Sequence, residues 1–157
     1  MKKMILTIVI SIVAILVVGI LIFSNVKKVY PLSWGWHSKV LQKGGTAIGG
    51  YDPVAYLQLG EVRKGDQRFS YVQNGVTWLF SSAENLETFK TQPVNYQPQF
   101  GGYCAFAVSK GFTAATNPEA WHIQDGKLYL FADKKVKEDW ISQIPEGVIS
   151  KCESNWK

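Results

Sequence analysis

Twenty residues without a charge, Met4 to Phe23, constrain this chain more than any other stretch in it. Only Thr7, Ser11 and Gly19 interrupt the apolar side chains. As a helix the run spans about 30 Å, the thickness of a bilayer's hydrocarbon core. A cleaved signal peptide is the rival reading, but its apolar region is usually about 7–15 residues long and ends at a small-x-small site. This run is longer, and Ile22-Phe23-Ser24 is a poor cleavage site. No cysteine follows it closely, so lipoprotein processing is not expected. The expectation is an uncleaved signal anchor that meets the membrane through residues 4–23. Lysine pairs flank both ends, and the N-terminal amine tips the balance towards a cytoplasmic N-terminus. Residues 29–157 are then expected outside the cytoplasm.

The anchor also accounts for the charge. The chain carries a formal +5, which invites a nucleic-acid reading. Of 17 Lys and Arg, four (Lys2, Lys3, Lys27 and Lys28) flank the apolar run. That leaves 13 against 12 Asp and Glu, a net of +1, and no basic stripe to follow a phosphate backbone. No nucleic-acid partner is expected.

Length and pattern then divide the chain into an anchor (1–28), a connector (29–46) and a single domain (47–157). The connector holds Tyr30-Pro31-Leu32-Ser33-Trp34-Gly35-Trp36-His37, whose aromatics suit a membrane interface. His37 reads as solvated or interfacial, and Lys43-Gly44-Gly45 as a hinge. In the domain, Asp52 is placed to cap a short helix that begins at Pro53 and stops at Gly60. Asn74-Gly75 and Asp125-Gly126 each sit between alternating apolar runs and predict two hairpins. Ser81-Ser82-Ala83-Glu84 has the form of a capping box. The helix after it should bury Leu86 and Phe89 and end before Pro93. Asn117-Pro118-Glu119 reads as a turn. A helix from Asp133 would align Val136, Trp140 and Ile144, and a last one would carry Val148 and Ile149. The fold class is α+β: a small two-hairpin domain with several short helices, preceded by one transmembrane helix.

Gly101-Gly102-Tyr103-Cys104-Ala105 is the candidate chemical centre. The glycines suggest a tight entry into a buried element with Cys104 at its first turn. If that element is a helix, its free N–H groups would favour a thiolate. Cys104 is otherwise a small buried residue, or one half of a disulfide with Cys152.

Several ordered motifs carry a resemblance. They are Tyr51-Asp52-Pro53-Val54-Ala55-Tyr56, Gly75-Val76-Thr77-Trp78-Leu79-Phe80-Ser81-Ser82-Ala83-Glu84-Asn85 and Pro93-Val94-Asn95-Tyr96. They resemble the YHS domain. With Gly101-Gly102-Tyr103-Cys104-Ala105, Glu119-Ala120-Trp121, Asp125 to Leu130 and Asn155-Trp156, residues 47–156 resemble the exported group labelled YHS domain-containing (seleno)protein. The resemblance implies a domain type and export, not a particular reaction. Its mention of selenium keeps a thiol at Cys104 in view. YHS domains linked to metal transport resemble an Asp-Pro-Val-Cys stretch followed by a Cys-x3-Cys pair. Here those three cysteine positions read Ala55, Ser81 and Asn85. Without thiolates a soft metal is not held, so the parent metal site is not expected. Ser81 has a sufficient role as a helix cap.

Tyr51, Asp52, Tyr103 and His122 are candidates to line a ligand or thiol site with Cys104. Each has a plain alternative: Asp52 as a cap, the tyrosines as packing, His122 as a strand residue opposite Trp121. A Cys2His2 zinc site would need both histidines and both cysteines of the chain together, and any smaller set would need Asp or Glu help. No Gly-rich phosphate loop, nucleophile elbow or HExxH pattern is present, so no catalytic residues are assigned and no cofactor is named. Two functions stay open. One is a non-catalytic binding or interaction module, its partner a small ligand, a metal ion or a membrane protein. The other is a thiol-based redox or metal-handling protein acting through Cys104.

Overall fold

The computed structural model describes residues 2–27 and 29–156. The first helix, α1 (Lys2–Lys27), contains one stretch, Ile5–Ser24, long and apolar enough to cross a membrane. Its side chains from Ile5 to Phe23 are all exposed, as lipid-facing side chains would be. The side chains of the flanking lysines and the N-terminal amine lie outside the described residues.

The rest is α+β. Strands β1 (Gln42–Lys43), β2 (Thr46–Ala47), β3 (Asp66–Gln73) and β4 (Val76–Phe80) form one sheet in the order β1-β2-β4-β3. Strand β2 runs parallel to β4, and the other neighbours are antiparallel. Strands β5 (Asn117–Gln124) and β6 (Lys127–Phe131) form a separate antiparallel pair. Both expected hairpins are present. Asn74-Gly75 and Asp125-Gly126 all have positive φ, as a two-residue turn matched to strand twist requires.

Helix α2 (Pro53–Leu59) begins at Asp52, whose side chain accepts from the N–H groups of Val54 and Ala55, and stops at left-handed Gly60. Helices α3 (Ala83–Thr91) and α4 (Pro93–Tyr96) follow the first hairpin. Phe89 is fully buried and Leu86 packs beside it. After the glycine pair comes α5 (Ala105–Ser109), with Cys104 at its N-cap. The chain closes with α6 (Lys134–Ile141), capped by Asp133, and α7 (Val148–Asn155). Asn155 donates to the carbonyls of Val108 and Ser109 at the end of α5.

Four local expectations are corrected. Lys43-Gly44-Gly45 is not a hinge: Gly44 and Gly45 turn β1 into β2, with Lys43 opposite Thr46. Asn117-Pro118-Glu119 is not a turn between elements but the start of β5. Asn117 accepts from the Glu119 N–H there, and the pairing shifts register before Trp121. Helix α6 ends at Ile141, so Ile144 packs from a turn and not from the helical stripe. The cap of α3 is Ser82, which accepts from the Asn85 N–H, and not Ser81.

Two apolar clusters fill the domain, and β6 is the wall between them. Tyr129 and Phe131 face one cluster with Cys104, Val108, Trp140 and Cys152. Leu128 and Leu130 face the other with Val54, Tyr56, Trp78 and Phe89. Alternation along a strand puts successive side chains on opposite faces, so a strand buried on both sides serves two cores. The neighbouring strand behaves likewise. Trp121 packs on Tyr56 at 5.5 Å between ring centroids, and His122 on Trp140 at 6.4 Å. The expectation that one of these two is core and the other exposed is corrected: each is partly buried, on a different side.

The glycine pair owes its place to a crossing. Gly101 and Gly102 have φ of 61° and 80°. A Cβ on Gly101 would lie 2.0 Å from the Lys39 carbonyl oxygen, and the Leu41 N–H donates to the Gly101 carbonyl. The connector therefore lies directly on this turn, and Leu41 is buried. Only glycine tolerates both the conformation and the approach.

Candidate functional site

The sequence candidates do not form one site. Cys104 is 2% exposed and belongs to the cluster around Trp140. Burial pushes its thiol pKa up. The N–H groups of Ala107 and Phe106 in the first turn of α5, and that of Ala132 just after β6, pull it down, but burial is the larger effect. The expected thiolate stabilisation is real in direction and loses to desolvation. Cys152 is also buried and raised, mainly by burial, and both thiols are free. The disulfide alternative is thus absent; the Cys152 thiol instead donates to the Ala105 carbonyl at 3.3 Å.

Tyr103 faces the connector. Its hydroxyl lies 3.0 Å from that of Ser38, its ring meets His37 and Trp156, and burial raises its pKa. His37 is partly buried against Tyr103 and Trp156, and its Nδ1 is enclosed with no hydrogen-bond partner among the described residues. His122 has its Nε2 3.4 Å from the Gln124 side chain.

Asp52 is wholly buried and its carboxylate accepts five hydrogen bonds. One carboxylate oxygen accepts from the N–H groups of Val54 (2.9 Å) and Ala55 (3.3 Å). The other accepts from the Ser81 N–H (2.8 Å), the Ser81 hydroxyl (2.6 Å) and the Asn85 amide (2.6 Å). A buried carboxylate is tolerated when such donors replace its water. This explains why Ser81 does not cap α3: its hydroxyl serves Asp52. The Ala55 N–H and the side chains of Ser81 and Asn85, the positions that would be cysteines in YHS domains linked to metal transport, meet at this one carboxylate. Among the described residues no three of His, Cys, Asp and Glu come together to hold a metal.

Compared with family models, curated proteins and solved structures, the chain matches none.

What geometry adds is a cleft of about 720 Å³. Leu41, Ile48, Leu79 and Pro118 give it an apolar wall, and Tyr51 is the one sequence candidate that lines it. Lys43, Lys64 and Gln67 line it too. Lys64 is held in place: its ammonium donates to the Gly49 carbonyl at 3.2 Å and lies 4.6 Å from the centre of the Tyr51 ring. Sequence reasoning missed these residues. The nearest signal was the glycine-rich Gly44-Gly45 and Gly49-Gly50, but no local pattern says that the two loops share a cavity.

Proposed function

We propose that this chain is a membrane-anchored binding module of the YHS type, without catalysis, whose domain lies outside the cytoplasm. The observation that carries the proposal is the cleft beside Tyr51, of a size that suits a small ligand. No Cys, His, Ser, Asp or Glu lines it, and its polar lining of Lys, Gln, Thr and Tyr side chains suits binding. The YHS reading is supported by the meeting of Ala55, Ser81 and Asn85 on the Asp52 carboxylate. The membrane reading is supported by the apolar stretch of α1. The thiol alternative has less support, because Cys104 is enclosed and its pKa is raised.

Ligand-observed NMR on the full chain in lipid nanodiscs tests the binding role. Screening neutral, anionic and cationic small solutes should reveal saturable binding that Ala115→Trp, at the exposed rim of the cleft, removes. Binding that survives Ala115→Trp would place the ligand elsewhere, and no binding at all would end the reading. A C-terminal alkaline phosphatase fusion in a bacterial host should be active if the domain is outside the cytoplasm.

A further inference from the structure

The cleft has a charge preference as well as a size. Two of its lining residues are lysines, and no Asp or Glu lines it. The acids nearest in sequence to Lys64 are engaged elsewhere: Glu61 pairs with Arg63 and Asp66 with Arg68, each at 2.7 Å. Glu119 follows the lining residue Pro118 but does not itself line the cleft. Lys43 makes no side-chain hydrogen bond or ion pair among the described residues. Lys64 gives one N–H to the Gly49 carbonyl, and an ammonium has three donors. Two cations thus border a concave, partly apolar space without a counter-charge. Low-dielectric walls strengthen the attraction of such a space for an anion. Leu41, Ile48 and Leu79 line the same cleft, and they suit an apolar body and not a bare inorganic ion.

We propose that this cleft binds a small organic anion, its carboxylate or phosphate held by Lys43 and Lys64 and its apolar part against Leu41, Ile48 and Leu79. The proposal rests on the binding-module reading and names the ligand class for the same site. Tyr51 positions one of the two cations, since its ring lies beneath the Lys64 ammonium. An anion can come from a free solute or from a phospholipid headgroup, and both present the same group to the lysines.

The test is isothermal titration of the full chain in phosphatidylcholine nanodiscs with phenyl phosphate, phenylacetate and neutral phenylacetamide. An anion should saturate at one per chain, with the amide weaker by about tenfold, the scale of one charge-assisted hydrogen bond. Lys43→Gln and Lys64→Gln should each weaken the anion by about tenfold, and added salt should weaken it further. Lys43→Gln is the cleaner variant, because Lys43 supports no structural contact through its ammonium. An unchanged melting temperature shows that the fold is kept. Glycerol 3-phosphate separates the sources: affinity equal to phenyl phosphate assigns a headgroup, and weaker affinity assigns a free solute with an apolar body. If the amide binds as tightly as the acid and the lysine variants change nothing, the anion class is overturned and the binding module stands. If none of these solutes binds, both are overturned.

Discussion

The Asn85 amide donates to the Asp52 carboxylate at 2.6 Å across 33 residues of chain. This bond ties the start of α2 to the start of α3, and the two bonds from Ser81 tie the end of β4 to both. Removing the acceptor leaves five buried or half-buried donors short of a partner. Asp52→Ala should therefore cost about 3 kcal/mol, and Ser81→Ala, which removes one donor side chain, about 1 kcal/mol. Urea unfolding followed by circular dichroism measures both. Equal costs would mean that Asp52 is merely one cap among several.

The N-terminal helix α1 should be separable from the rest of the fold. Residues 29–157 expressed alone should be soluble and folded, since the two apolar clusters contain no residue of α1. The full chain should stay in the membrane fraction through a high-salt wash. Release by salt, or a mature N-terminus near Asn25, would contradict an uncleaved anchor.

Cys104 should behave as core. Cys104→Ala should cost about 1–2 kcal/mol, and Cys104→Ser as much or more, because a hydroxyl would be buried there. Iodoacetamide should label it slowly, in step with global unfolding. Fast labelling at neutral pH, with stability untouched by its removal, would revive the thiol mechanism.

Stability should fall on the alkaline side. Burial holds Tyr56 well above its ordinary 10.0 and pushes Tyr129 up to about 12. In the unfolded chain both phenols ionise near pH 10, while the folded protein keeps its protons. The unfolded state then binds fewer protons, so the stability these phenols contribute is full below pH 10 and is lost above it. Cys104 and Cys152 are raised from 9.0 and act with the same sign from about one pH unit lower. Urea midpoints against pH should show the decline, and Tyr129→Phe should make it shallower. A midpoint that rises with pH above 10 would refute this.

The glycine pair should be intolerant for a reason that a control can isolate. Gly101→Ala sets a Cβ against the Lys39 carbonyl and should cost about 3 kcal/mol or more. Gly111 has a φ of 85° but open space around its Cβ position, so Gly111→Ala should carry the conformational cost alone, about 1 kcal/mol. Similar melting temperatures for the two variants would show that the crossing connector yields.

Much of the fold was legible because its signals are local. Asn74-Gly75 and Asp125-Gly126 select a turn by backbone conformation, and Asp52 and Asp133 cap helices within three residues of themselves. The apolar stretch of α1 needs no partner to be read. Ser81 against Ser82 was not legible, because the choice depends on a carboxylate 29 residues away. The reading of Gly44-Gly45 as a hinge failed because their partner residues, Lys43 and Thr46, form strands only beside β4. The five candidate residues are spread over residues 51–122, and packing sends them to different places: Cys104 and Tyr103 to one apolar cluster, Tyr51 to the edge of the other. Local sequence determined which segments turn, coil and cap, since those preferences act over about four residues. Long-range packing alone decided which oxygen meets which amide, which thiol is shut from water, and that Lys43 and Lys64 border one cleft.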